Sequence, residues 1–277
     1  MQPLIDIGAN LTDKAFKDDY KTVIRTALKN KVNIVLTGTS AENSFQAANI
    51  ALEWPNSIFS TAGIHPHYSH AATSDDISTL KNLARLPQVV AIGETGLDFF
   101  RMLSPQSIQE QLFEKHIELA ATTNKPVFIH ERHAFARSFE ILKAHRYAFS
   151  KGVIHCFTGD KTSLFKYLDL DLHIGITGWV CDERRGVELQ SLLKHIPASK
   201  LMIETDAPYL KPRDLTKNET NPAYKLKASR NEPVVLRHIA ETVAKLRNED
   251  VALFAQHSYE TSKEFFDLNH LSTQEDI

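Results

Sequence analysis

Val89-Val90-Ala91-Ile92-Gly93-Glu94-Thr95-Gly96-Leu97-Asp98 begins as an uncharged run and turns polar at Glu94. Apolar residues at consecutive rather than alternate positions predict a strand covered on both faces, Val89–Gly93, which delivers Glu94 at its C-terminal end. The pattern recurs along the chain. Leu4–Gly8, Val32–Thr37, Ile58–Gly63, Pro126–His130, Gly152–His155, His173–Thr177 and Leu201–Thr205 are likewise rich in Val, Ile and Leu with few charges.

Longer amphipathic segments separate these runs. Thr12–Asn30 and Ser40–Glu53 read as helices with Thr12 and Ser40 as N-caps, and Ser104–Thr123 as a long helix with Ile108, Leu112, Ile117 and Leu119 on its apolar face. Helices near Pro233–Leu246 and Asp250–Phe266 close the chain. Between them and the last strand, Lys211–Glu232 is polar and proline-bearing, as a long loop would be. Eight strands alternating with helices predict an α/β fold, a TIM (β/α)₈ barrel, with an open sheet plus an appended domain as the alternative. Residues 1–270 would form this single domain, and residues 271–277 a frayed tail.

The chain's 277 residues suit such a barrel, which typically takes about 250. A net charge of −2 argues against a surface that coats nucleic acid or anionic lipid, although a small basic mouth fits within it. Two cysteines, Cys156 and Cys181, make no disulfide framework. The N-terminus lacks the basic and apolar regions of a signal peptide, and no run approaches the roughly 18 apolar residues of a membrane span. These features predict a soluble, cytoplasmic monomer.

Barrel enzymes place their chemistry at the C-terminal strand ends, where the βα loops converge. Here Asp6 lies on the first strand, His65-Pro66-His67 follow the third, and Glu94 follows the fourth; His130 and His155 end the fifth and sixth, and Asp206 follows the eighth. Each has a bland reading. Glu94 could be a helix N-terminal charge, Asp206 a turn residue, His65 and His67 turn packing, His130 and His155 buried groups bonded to backbone. Recurrence at equivalent positions favours a constellation instead. Carboxylates and imidazoles converging on one point suit a divalent cation, which polarises a carbonyl or phosphoryl oxygen and acidifies water, while an acidic neighbour takes the proton. No nucleophile elbow, P-loop or dinucleotide fingerprint is present.

Asp6 could ligate or brace the mouth, and Glu204 shares a strand face with Asp206 without a decided role. Alternation points Cys156 away from the mouth, and His133 reads as a helix-start residue. Trp179 could stack on a base or simply pack. Lys211, Arg213 and Arg230 border the mouth by topology and could hold phosphates. His70, His116, His145, His195, His238, His257 and His270 fall in helical or loop patterns with no evident partner.

Five motifs then carry a resemblance: Gly63-Ile64-His65-Pro66-His67, Ile92 to Asp98, Ile154-His155-Cys156-Phe157-Thr158-Gly159, Ile203-Glu204-Thr205-Asp206-Ala207-Pro208-Tyr209-Leu210, and Arg230-Asn231-Glu232-Pro233. With Ile176 to Gly186, they resemble the TatD family of metal-dependent deoxyribonucleases, from the first strand to the closing helices. The resemblance implies an amidohydrolase-like barrel that cuts phosphodiester bonds with a divalent metal cation, usually Mg²⁺, Mn²⁺ and Zn²⁺ being the other candidates. It further implies 3′-to-5′ exonuclease action on single-stranded DNA or RNA 3′ ends and a part in repair of oxidative DNA damage.

By the same resemblance Glu94, His130 and His155 match metal ligands. Asp206 matches a strand-8 aspartate that acts as ligand or catalytic base, and His65, His67 and Arg132 match positions that meet substrate phosphate. Many relatives begin Asp-x-His-x-His; here Gly8 and Asn10 stand in place of both histidines, which puts a permanent two-metal centre in doubt. The competing readings are hydrolysis of an amide, ester or aminoacyl bond on the same barrel, and a non-catalytic scaffold, against which the intact Glu-His-His-Asp set argues.

Overall fold

Each of the eight segments read as a strand is a strand in a computed structural model of the chain, which describes residues 1–215, 226 and 230–268. They are β1 (Leu4–Ala9), β2 (Val32–Leu36), β3 (Ile58–Ala62), β4 (Val89–Asp98), β5 (Val127–Arg132), β6 (Gly152–Ile154), β7 (His173–Ile176) and β8 (Leu201–Ile203). All neighbours pair in parallel and in chain order, β1 to β8. Just past the strand ends, the Asp206 amide donates to the Gly8 carbonyl (2.8 Å) and the Asn10 amide to the Ala207 carbonyl (2.7 Å), which brings the ring round. The barrel, rather than the open sheet, is the architecture.

Helices α1 (Tyr20–Lys29), α2 (Ala41–Leu52), α3 (Ser74–Leu83), α4 (Gln106–Thr123), α5 (Phe135–Ala144), α6 (Lys161–Asp169), α7 (Val187–Leu192), α8 (Leu236–Arg247) and α9 (Val251–Phe266) fill the connections. Ser40 caps α2 as expected, its hydroxyl accepting from the Asn43 amide. Thr12 does not cap a helix: its hydroxyl accepts from Asn43 (2.5 Å), Asp13 caps a short 3-10 turn at Lys14–Phe16, and α1 starts only at Tyr20. The tail 271–277, His270, and residues 216–225 and 227–229 of the long loop lie outside the described residues.

Strand alternation divides the core in two. Leu4, Val32, Ile34, Leu36, Val127 and Ile129 meet the helices. Their alternates Ile5, Ile7, Val35, Phe59, Val90, Phe128, Val153 and Met202 fill the barrel, together with Tyr259, Phe265 and Phe266 of α9 and Leu268 just after it. The Phe265 ring lies 4.8 Å from that of His173, the first residue of β7, so α9 closes the N-terminal end of the barrel. The opposite end is left for the polar groups.

Candidate metal centre at the barrel mouth

Glu94 lies inside β4, which runs to Asp98, five residues further than the uncharged run indicates. The flanking glycines explain how. Gly93 and Gly96 have φ of +138° and +132°, and a Cβ at either would fall 2.2 Å from the Phe128 carbonyl oxygen or 2.1 Å from that of His130. Only glycine allows β4 to run so close to β5 in that conformation, and the close approach sets Glu94 beside His130. A single oxygen of Glu94, Oε1, then meets three imidazoles: His155 Nε2 at 2.8 Å, His130 Nδ1 at 2.9 Å and His65 Nε2 at 3.3 Å.

A second carboxylate joins this cluster. Asp98 Oδ2 lies 2.7 Å from His67 Nε2 and 3.3 Å from His130 Nε2, while its Oδ1 accepts from the Phe100 and Arg101 amides. Reading β4 only to Gly93 hid this residue; in the longer strand the separation of four from Glu94 is the signal that would have found it. His116, read as bland, braces the loop that carries His65. Its Nε2 accepts from the Ile64 amide (3.0 Å), so Nδ1 carries the hydrogen and donates to the Leu112 carbonyl.

The sixth and eighth strands supply the other side. His155 Nδ1 sits 3.4 Å from Glu204 Oε2, and the Cys156 amide donates to Glu204 Oε1 (2.5 Å). Glu204 is fully buried in a cradle made by two glycines: a Cβ on Gly8 would lie 2.4 Å from its Oε2, and one on Gly175 2.6 Å from its Oε1. Asp206 Oδ1 accepts from Asn10 Nδ2 (2.9 Å). Gly8 and Asn10, the two positions that depart from the histidine pattern, therefore each serve a carboxylate. Asp6 braces the seam instead of facing the mouth, accepting from the Thr205 amide (2.8 Å) and hydroxyl (2.5 Å).

A cavity of about 560 Å³ opens over the cluster, within the size range of small-ligand sites. Its lining includes Glu94, His65, His67, His130, His155, Asp206 and Arg132, so every residue singled out for the site reaches one space. Arg132 is exposed, its guanidinium 4.0 Å from the Phe100 ring centroid, and Trp179 lines the wall with Arg185 over its ring. Cys156 lines the cavity too: β6 stops at Ile154, and a left-handed φ of +48° at Cys156 ends the alternation that would have turned it away. His133 precedes α5, which starts at Phe135. Arg230 is not a mouth cation, because its buried guanidinium is held by Asp19 (2.8 and 3.0 Å) and Glu232 (2.6 Å). Tyr68, Tyr209 and Arg101, which carried no sequence signal of their own, also line the space.

Burial penalises charge throughout this cluster, and the neighbours decide the outcome. It opposes ionisation of Glu94, but His65, His155 and His130 outweigh it and hold the carboxyl well below its usual range. Burial likewise opposes charge on His130 and His155, yet Asp98 with Glu94 raises the first and Glu94 with Glu204 raises the second well above the usual value. For His65 burial prevails, lowering it to about 4. Burial also pushes Asp206 up to about 7, with His155 pulling down and Glu94 and Glu204 pushing up.

This donor set fits a divalent cation. The donor atoms of His65, Glu94 and His130 lie within 4.8 Å of one another, and the ion-pair partners of Glu94 among the described residues are all imidazoles. Imidazole lone pairs and one carboxylate oxygen aimed at each other can be satisfied by one ion in place of several shared protons.

Over residues 5–267 the chain matches the family described as TatD related DNase. The chain belongs to this family. It is 43% identical over 266 residues to a protein of Edwardsiella piscicida named 3′-5′ ssDNA/RNA exonuclease TatD, covering 96% of this chain and 100% of that one. A protein of the same name from Rahnella sp. is 45% identical over 267 residues, covering 96% and 99%. Among solved structures, a TatD-family hydrolase of Entamoeba histolytica superposes with a TM-score of 0.83 at 28% identity, over 96% of this chain and 98% of that one. The TatD resemblance read from the five motifs is borne out over the whole barrel.

Proposed function

We propose that this TatD-family chain is a divalent-metal-dependent 3′-to-5′ exonuclease acting on single-stranded DNA and RNA. The observation that carries the reading is the convergence of three imidazoles on one Glu94 oxygen beneath a confined cavity, in a chain matching proteins named for that activity along nearly their full length.

Glu94, His130, His155 and Asp206 would hold the cation, and His65, 3.3 Å from Glu94 on the same cavity, would meet substrate phosphate beside them. When bound, the ion supplies Lewis acidity at the phosphoryl oxygen and makes water a better nucleophile; Mg²⁺ is the ion the resemblance implies, with Mn²⁺ and, by its affinity for imidazole, Zn²⁺ as the others. Asp206, oriented by Asn10, would take the proton of the attacking water. Glu204 keeps the His155 ring in place. Arg132, braced on Phe100, offers planar donors to two phosphate oxygens, and His67, oriented by Asp98, offers another. A confined cavity at the barrel mouth suits one strand end, which supports exonucleolytic action.

The test is 5′-labelled single-stranded DNA incubated with chelator-stripped protein, with Mg²⁺, Mn²⁺ or Zn²⁺ added back. A descending ladder that requires added metal is expected. Full activity in excess chelator would overturn the metal requirement, and immediate release of label as mononucleotide would reverse the polarity.

A further inference from the structure

Away from the catalytic cavity, a second group of metal-ligating side chains comes together from three parts of the chain. Cys181 ends the 3-10 turn Gly178–Cys181 after β7, Asp214 lies in the segment after β8, and His238 is the third residue of α8. The Sγ, a carboxylate oxygen and an imidazole nitrogen all lie within 4.8 Å of one another. None of the three belongs to the catalytic cluster, and none lines its cavity. His238 was read from sequence as having no partner, yet its Nε2 is 2.7 Å from Asp214 Oδ1.

We propose that Cys181, Asp214 and His238 form a second site for a thiolate-preferring divalent cation, Zn²⁺ by chemistry. Thiolate, imidazole and carboxylate are the three donor types zinc takes in tetrahedral sites, at about 2.3, 2.0–2.1 and 2.0–2.2 Å. Donors around such an ion stand roughly 3.3–3.8 Å apart by that geometry, a spacing bracketed by the 2.7 Å Asp214–His238 pair and the 4.8 Å that bounds the whole cluster. Cys181 is buried, while Asp214 is exposed and the His238 side chain is 23% exposed. The ion thus has a way in, and a water completes the tetrahedron on the solvent side. Binding releases the Cys181 thiol proton, and any proton shared between His238 and Asp214, to solvent as the metal–ligand bonds form.

The position gives the site a purpose. Trp179, two residues before Cys181, lines the catalytic mouth, and Arg213, beside Asp214, already reaches Asp182 at 3.7 Å. An ion here would tie the β7 turn, the segment after β8 and α8 together and hold that wall of the mouth.

Co²⁺ added to reduced, chelator-stripped protein tests this, because only a thiolate ligand gives an intense near-ultraviolet sulfur-to-cobalt absorption. Cys156 lines the catalytic cavity, so it is the necessary control. The band is expected in the parent and in Cys156→Ser, to disappear on adding Zn²⁺, to be lost in Cys181→Ser and to be weakened in His238→Gln and Asp214→Asn. If Cys181→Ser does not fold, the His238 and Asp214 variants, with Zn²⁺ protection of Cys181 from alkylation in the parent, carry the same test. No band in the folded parent, or a band that vanishes with Cys156→Ser and survives Cys181→Ser, overturns the proposal.

Discussion

The two ends of the barrel bury the same residue type to opposite effect. At the floor, under α9, His173 packs on Phe265 and its Nδ1 has no hydrogen-bond partner among the described residues; burial, with Lys200 next, lowers it to about 4. At the mouth His155 is as deeply buried, yet Glu94 and Glu204 beside it raise its affinity for a proton well above the usual value. Burial is common to both, and at His155 two bonded carboxylates outweigh it, whereas His65, facing Glu94 alone at 3.3 Å, stays lowered at about 4. A buried histidine in this protein is therefore chemically informative only when its partners are known. The floor is apolar and serves stability; the mouth concentrates charge that a stable core would avoid and serves function.

That contrast should appear first at Glu94. Glu94→Gln keeps the shape but removes the charge that three imidazoles face, and kcat/KM should fall by more than the roughly 10–100-fold that losing a supporting partner of a metal ligand costs. The variant should remain folded and bind less metal by titration calorimetry; unchanged cleavage would remove Glu94 from the centre. Phe265→Ala tests the floor in the opposite sense. It should lower unfolding stability by about 3–5 kcal/mol in a urea titration while leaving kcat/KM at a permissive temperature near the parent value. A selective loss of catalysis there would end the division between the two ends.

The pH dependence of stability sharpens the comparison. Burial lowers His116 to about 4 against 6.5 for the exposed group, with its bond to Leu112 only partly opposing, so the unfolded chain binds the proton first. Its contribution is present above pH 6.5 and is lost as pH falls toward 4, on the order of 3 kcal/mol for that one group. His116→Gln should flatten urea stability over that window, and an unchanged slope would show that other groups set it. The smallest effect concerns Arg132, whose exposed guanidinium would contact phosphate without touching the cation site. Arg132→Ala should stay folded and metal-loaded and lose roughly tenfold to a hundredfold in kcat/KM on DNA. Cleavage at the parent rate would remove its phosphate role.

Much of this was legible in the chain because strand burial writes itself into composition: eight apolar runs without alternation require helices on the outer face and a filled barrel within. Strand-end residues such as His130 and His155 could be read because the barrel brings every C-terminal strand end to one rim. Asp98 was not legible, since β4 continues through Gly93 and Gly96 in conformations that no apolar pattern records. Arg230 misled for a related reason: proximity along the chain to a mouth loop says nothing of Asp19, which lies 211 residues away and holds it.

By itself, then, the sequence determined the barrel, the family and the rim positions of the candidate metal ligands, because these follow from local periodicity and from motifs only a few residues long. Tertiary structure alone decided that three imidazoles share one oxygen of Glu94, that Gly8 makes room for Glu204 and Asn10 holds Asp206, and that Cys181, Asp214 and His238 meet. Those contacts join residues tens to hundreds of positions apart. Their distances depend on how closely neighbouring strands and loops pack, which no local pattern encodes.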